Sequence, residues 1–262
     1  MHKKAVFPGK YIQGAGALAE LPALMDSFGD RPLVLASPTA RKNVLPSCGI
    51  DWAARPGTTI ETFGGECCET ELARLAGLIA QNGIDVIVAV GGGKTIDTAK
   101  IAADRARLPV IVVPTIASTD APCSGCAVLY TDSGVFLSVA YQKMNPAAVL
   151  VDESVIAAAP VRFLVAGMGD ALATWFEADS CRRTQSPNAC GGLSPVVGHH
   201  IARLCYDTLL EYGLPARIAC ENHGITPAFS RIVEANVLLS GIGFESGGLG
   251  AAHSIHNGFT AL

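Results

Sequence analysis

The chain has 262 residues, a formal net charge of -4 and a mean hydropathy of +0.37, with 50% hydrophobic and 16% charged residues. This length allows one large domain or two small ones with a substantial core. The acidic balance and the lack of a basic patch in the sequence argue against a nucleic-acid partner. No uninterrupted apolar segment is long enough to cross a bilayer, so we expect no membrane partner.

Cysteine usage bears on the cellular compartment. The sequence contains nine cysteines, and its first residues lack the apolar core of a secretory signal. An odd number of cysteines without such a signal favours reduced thiols and a cytoplasmic protein. Cys123 and Cys126 have the C-x-x-C spacing of a redox pair or half a zinc site, but no second pair accompanies them. Reduced loop cysteines are the favoured interpretation.

The first part of the chain alternates apolar runs with segments of helical periodicity. Such alternation is typical of a doubly wound α/β fold with an open parallel sheet. A hairpin is predicted over 128–139. Strands are predicted at 33–36, 60–65, 86–90, 109–115 and 148–152, and helices at 17–25, 69–80 and 94–107.

Beyond Pro160 the pattern becomes almost wholly helical. Helices are predicted at 164–182, 196–212 and 229–241, followed by a further helix that carries His253. We therefore expect an α/β dinucleotide-binding domain over 1–160 and a helical metal and substrate domain over 161–262. A cleft between the two is the expected place for a site.

A glycine-rich turn follows the predicted strand at 86–90. Gly91, Gly92 and Gly93 precede a helix whose first N–H groups can bind a phosphate. The turn is not a Walker loop, because Val88 stands where that motif has glycine, and Ile96 breaks the G-x-G-x-x-G fingerprint. A phosphate loop and a tight turn without ligand both remain open from these residues alone.

A carboxylate and an imidazole stand out among small residues of the helical part. Asp170 and His253 are of the types that bind zinc or a similar divalent ion. A helix cap or ion pair for Asp170, and simple packing for His253, are the alternatives. His256 follows three residues later on the same helix face, as a second ligand or as a partner of His253.

Four motifs, in this order along the chain, resemble the iron-containing (group III) alcohol dehydrogenase superfamily, and within it the glycerol dehydrogenases. They lie at 91–100, 114–124, 169–178 and 243–249. The resemblance implies an open parallel α/β nucleotide-binding domain followed by an all-helical domain, as in dehydroquinate synthase. It also implies NAD-dependent oxidation of glycerol to dihydroxyacetone on a zinc ion, in a homo-oligomer.

The resemblance also implies roles for individual residues. Asp170 and His253 would bind the metal and contact the substrate, and Asp120 would contact the glycerol hydroxyls; all three are the implied catalytic residues. The implied cofactor-binding residues are Gly92, Gly93, Lys94, Thr95, Asp97, Thr115, Ser118, Ser124, Cys126 and Tyr130.

Two departures from the family pattern affect these expectations. Family members have a further zinc-binding histidine beyond the position where this sequence ends, so we expect a truncated chain with two ligands, unless His256 supplies a third. A non-catalytic dinucleotide-binding remnant and a dehydrogenase for another small diol are the alternative functions. Ser37 replaces an acid that would bind the adenosine ribose, so NADP is less excluded than usual, although NAD is expected.

Overall fold

The sheet of the protein is parallel throughout, as the sequence predicts. A computed structural model describes residues 1–260. Six strands pair in the order β1-β8-β5-β4-β2-β3, and β6 and β7 form a separate antiparallel hairpin. The strands are β1 Tyr11–Gly14, β2 Pro32–Ala36, β3 Thr59–Thr62, β4 Val86–Gly91, β5 Val110–Pro114, β6 Cys126–Tyr130, β7 Phe136–Tyr141 and β8 Ala148–Asp152.

Burial explains the sequence pattern of the central strands. Every residue of β2, β4, β5 and β8 is buried, as expected of parallel strands covered on both faces. One apolar cluster lies on one face of the sheet, and a second apolar cluster lies on the other face. At the end of the central pair, Gly91 of β4 lies opposite Pro114 of β5, so the loops after these strands are neighbours.

Helices cover the sheet and form most of the chain beyond it. They are α1 Leu21–Asp26, α2 Glu69–Asn82, α3 Gly93–Ala106, α4 Glu153–Ala158, α5 Val161–Thr184, α6 Val196–Glu221, α7 Pro227–Glu234, α8 Ser240–Gly247 and α9 Ala251–Phe259. Ala235–Leu239 forms a π-helical turn between α7 and α8. Within residues 1–260, no helix combines the length and apolarity that crossing a bilayer requires. The division into two domains at residue 160 stays a prediction.

Several elements differ from the sequence prediction. Helix α4 was not predicted, and the single helix predicted at 229–241 is divided into α7, the π-helical turn and α8. β1 was not predicted, because its four residues are all half-buried at the sheet edge and carry no apolar run. The predicted helix at 196–212 continues to Glu221, although Pro215 lies inside it. Proline removes one helical hydrogen bond, but Ala216 and Cys220 beyond it are buried, and their packing keeps the chain helical.

Candidate active site

The glycine turn joins the end of β4 directly to the start of α3. A β-carbon on Gly92 would lie 3.0 Å from Cδ1 of Ile116, and one on Gly93 would lie 3.3 Å from Cγ2 of Thr119. Glycine therefore lets the turn pack closely against the loop that follows β5. The N-terminus of α3, with its unpaired N–H groups and partial positive charge, lies at this edge of the sheet.

Gly92 and Gly93 line two different cavities. Gly92, together with Ser37 and Thr115, lines a cavity of about 700 Å³ beside β2. Gly93 lines a second cavity of about 350 Å³ that reaches α5 and α9. Because the two glycines are adjacent, both cavities reach the N-terminus of α3, where an anion is favoured.

The smaller cavity brings together most of the residues that the sequence singled out. Gly92 and Thr115 line the larger cavity instead. Thr95 is 2% exposed and lines neither cavity in the part of the chain that the structure describes. The predicted residues along the smaller cavity are Gly93, Lys94, Asp97, Ser118, Asp120, Ser124, Cys126, Tyr130, Asp170 and His253.

Two charged residues of α3 line the smaller cavity and also contact neighbouring segments of the chain. The ammonium group of Lys94 pairs with Glu66 and lies 4.9 Å from the centre of the Tyr130 ring. Asp97 accepts a hydrogen bond from the Val128 N–H at 2.9 Å, and its other oxygen lies 3.3 Å from Nζ of the buried Lys100. Burial raises the pKa of Asp97, although Lys100 opposes this effect. Asp97 thus joins α3 to β6 as well as lining the cavity.

Three potential metal ligands converge at the far end of the smaller cavity. One donor atom each from Asp120, Asp170 and His253 lies within 4.8 Å of the other two. These residues come from the loop after β5, from α5 and from α9. Two carboxylates and an imidazole form a donor set that suits zinc and similar divalent ions. The residues present therefore fit a metal ion; His256 lines the same cavity but lies outside this donor group.

Hydrogen bonds hold the two carboxylates in place. The backbone N–H of Asp120 donates to Oδ2 of Asp170 at 3.1 Å. The Ser240 hydroxyl donates to Oδ2 of Asp120 at 2.8 Å, and the Thr174 and Ser240 hydroxyls lie 2.8 Å apart. Helices α5 and α8 therefore position the loop after β5.

One helical turn before Asp170, helix α5 makes a close backbone contact with the same loop. A β-carbon on Gly167 of α5 would lie only 2.0 Å from the carbonyl oxygen of Ala117, so only glycine fits. Nδ2 of Asn236, in the π-helical turn, donates to the same carbonyl at 3.0 Å and to that of Leu164 at 3.1 Å. The loop that carries Asp120 is thus tied to both helical segments.

The carboxylates of the donor group stabilise positive charge beside them. Burial and the neighbouring Asp170 carboxylate raise the pKa of Asp120 well above its ordinary value. Burial lowers the pKa of His253, but hydrogen bonds to Asp170 and Glu177 outweigh burial and raise that pKa to about 10. Carboxylates this close destabilise each other's charge, and a positive charge between them relieves that cost.

Two residues that the sequence interpretation missed complete the site. Glu177 lies 2.5 Å from Nδ1 of His253, and Ser240 holds Asp120. Glu177 follows Asp170 by seven residues, so both point to one face of α5; that periodicity was the available signal. Ser240 carries no comparable signal, because its role depends on the π-helical turn before it.

Comparison with known proteins identifies the family of the chain. Residues 8–153, more than half of the chain, match the family described as iron-containing alcohol dehydrogenase. The chain belongs to the iron-containing alcohol dehydrogenase family. It is 52% identical over 257 residues to the glycerol dehydrogenase of Thermotoga maritima, covering 98% of this chain and 70% of that protein.

Two solved structures share the fold of the chain. A probable glycerol dehydrogenase from Sinorhizobium meliloti has a TM-score of 0.94 at 45% identity, over 99% of this chain and 72% of that one. A sulfoacetaldehyde reductase from Bifidobacterium kashiwanohense, solved in complex with NAD+, has a TM-score of 0.81 at 20% identity, over 100% of this chain and 72% of that one. As a member of the iron-containing alcohol dehydrogenase family, the chain is an oxidoreductase.

Proposed function

We propose that this chain oxidises glycerol to dihydroxyacetone, with NAD as hydride acceptor and a zinc ion in the site. One observation carries the proposal: the donor group of Asp120, Asp170 and His253 lies in the same cavity as the N-terminus of α3. A cofactor diphosphate and a small alcohol can therefore be bound side by side. The relatives named as glycerol dehydrogenases support the choice of alcohol.

The two adjoining cavities suit the two ends of a dinucleotide. The pyrophosphate would lie across Gly92 and Gly93, which both cavities reach and where the helix N-terminus favours an anion. The adenosine would occupy the larger cavity beside Ser37, and the nicotinamide the smaller one beside Tyr130. This placement brings the nicotinamide into the cavity that holds the metal-binding residues.

Of the three residues of the donor group, Asp170 and His253 are the proposed ligands of the metal ion, and Asp120 is assigned to the substrate. A divalent ion bound there would polarise the alcohol oxygen and lower the pKa of its proton. Asp120 would then accept a hydrogen bond from the neighbouring hydroxyl of the substrate. Ser240 already occupies Oδ2 of Asp120, which leaves Oδ1 for that contact. A buried acceptor of this kind selects a vicinal diol over a simple alcohol, which would leave it unpaired.

We further propose a homo-oligomer that works in the cytoplasm. The nine free cysteines are compatible with a reducing compartment. Helix α6 carries exposed large apolar side chains, and those of Leu210 and Leu214 are each 65% exposed. Exposed apolar groups of this size favour contact with another protein surface.

The test is NAD reduction by the purified chain, followed as absorbance of NADH. Glycerol, 1,2-propanediol and ethanol are compared with added zinc, and again after treatment with a chelator. Zinc-dependent activity that is greater with the diols than with ethanol supports the proposal. NAD binding without turnover of any alcohol would indicate a dinucleotide-binding protein without catalysis and would contradict it.

A further inference from the structure

We propose that Glu177 is a positioning residue that fixes the orientation and tautomer of His253, so that Nε2 of the imidazole faces the metal site. This inference rests on the proposed function, because it assigns a role to a neighbour of a proposed metal ligand. Glu177 itself does not touch the cavity that would hold substrate and cofactor, as far as residues 1–260 define it.

The two imidazole nitrogens of His253 have different partners. Nδ1 lies 2.5 Å from Oε2 of Glu177, whereas Nε2 lies 3.4 Å from Oδ1 of Asp170. An ionised carboxylate only accepts hydrogen bonds, so Nδ1 must carry a proton. When the imidazole is neutral, its lone pair is therefore on Nε2, the nitrogen that faces Asp170.

Backbone N–H groups at the start of α9 fix the orientation of the Glu177 carboxylate. Its second oxygen, Oε1, accepts hydrogen bonds from the N–H groups of Gly250 at 2.9 Å and His253 at 3.2 Å. These N–H groups belong to the first turn of a helix, where the helix itself supplies no acceptor. Glu177 is 5% exposed, so both of its oxygens are committed to α9.

A third contact restrains the plane of the imidazole. The ring of Phe244 on α8 stacks against that of His253, with 6.4 Å between centroids and 29° between planes. Glu177 and Phe244 thus fix the direction and the plane of the ring. Since Asp170 and Glu177 are both on α5, one helix supplies a proposed metal ligand and the group that orients another.

The substitution Glu177→Gln separates this role from helix capping. Glutamine can direct its oxygen to the two backbone N–H groups, but its NH₂ group then faces Nδ1 of His253. That arrangement requires an unprotonated Nδ1 and a protonated Nε2, which cannot bind a metal. The opposite arrangement places the NH₂ group against two N–H donors. Zinc affinity should fall by about 10- to 100-fold either way.

The experiment measures zinc affinity by competition with a chromophoric chelator in wild type, Glu177→Gln and Asp179→Asn. Asp179 is the matched control, because it is also an acid of α5 but pairs with Arg183. Wild-type affinity in Asp179→Asn together with weakened binding in Glu177→Gln is expected. Equal affinity in all three proteins would overturn the proposal and leave a capping role only.

A second measurement does not depend on the variant folding. In wild type loaded with zinc, ¹⁵N NMR of labelled histidine should show His253 bound through Nε2 and protonated at Nδ1. Ligation through Nδ1, or no zinc bound at His253, would overturn the inference. Nε2 ligation in a protein that oxidises no alcohol would contradict the proposed function while the inference about Glu177 stands.

Discussion

The backbone N–H of Asp120 is hydrogen-bonded to the carboxylate of Asp170, with 3.1 Å between Asp120 N and Asp170 Oδ2. This bond joins the loop that follows β5 to helix α5, which carries the proposed metal ligand Asp170. Asp170 therefore has two tasks, since one oxygen holds the loop and the other faces His253 at 3.4 Å.

Replacement of Asp170 by alanine should abolish zinc-dependent turnover and lower zinc affinity by more than about 100-fold, because a ligand is removed outright. NAD affinity should change little, since the glycine turn is on a different element. Fluorescence titration with NADH and zinc competition would measure the two affinities. Loss of NADH binding in a folded variant would contradict the assignment of cofactor binding to the glycine turn rather than to Asp170.

Replacement of Ser240 by alanine should leave Oδ2 of Asp120 without its hydrogen-bond donor. Ser240 is completely buried, so water cannot substitute for it, and the free energy of unfolding should fall by about 1–3 kcal/mol. The KM for glycerol should rise as Asp120 loses its orientation. Urea unfolding and steady-state kinetics would test both effects. Ser254→Ala, which removes an exposed hydroxyl on α9, is the control and should change neither quantity.

Replacement of Ser37 by aspartate should make the chain select against NADP. Ser37 lines the larger cavity, where the adenosine is proposed to bind. A carboxylate there would repel a 2'-phosphate, and we expect kcat/KM for NADP to fall by about 100-fold relative to that for NAD. Ser47→Asp adds the same charge elsewhere in that cavity and should have a smaller effect. Equal effects of the two variants would argue against Ser37 as the ribose position.

Glu71 should make the stability of the protein depend on pH. Although burial raises its pKa, hydrogen bonds from Arg74 and the Gly64 N–H outweigh burial and lower that pKa below 4.5. A carboxylate whose pKa is lowered by folding stabilises the folded state at pH values above its ordinary, unfolded-state pKa. This contribution disappears as the pH falls through the folded-state pKa. Glu71→Gln should therefore cost about 1–3 kcal/mol near neutral pH.

The difference between wild type and Glu71→Gln should shrink steadily below pH 4.5, which denaturant unfolding at several pH values would show. Glu69→Gln provides the comparison, because its ion pair with Arg105 is exposed and should contribute at most about 1 kcal/mol. A difference that stays constant down to pH 3 would contradict the role of the Glu71 charge.

The central strands could be predicted from the sequence because burial on both faces leaves a continuous apolar run within each strand. Strands β4 and β5 are continuous apolar runs, and only burial on both faces accounts for such runs. Asp170 and His253 were identified because a charged or titratable group among small residues is unusual. Their proximity, however, could be inferred only from the family resemblance.

The contacts that depend on long sequence separation could not be predicted. Glu177 and His253 lie 76 residues apart, and Ser240 and Asp120 lie 120 apart. Neither pair leaves a periodic pattern in a single sequence. The extension of the long helix past Pro215 was missed for a related reason, since tertiary packing overrode a local signal that predicts a helix end.

The π-helical turn at Ala235–Leu239 has a consequence for insertions and deletions. A wide turn contains one residue more than a regular helical turn needs, and each residue added or removed rotates everything after it by about 100°. Deleting one residue there would regularise the helix while turning Ser240 and Phe244 away from Asp120 and His253. At this position the number of residues sets the geometry of the site, together with the Asn236 side chain that the turn carries.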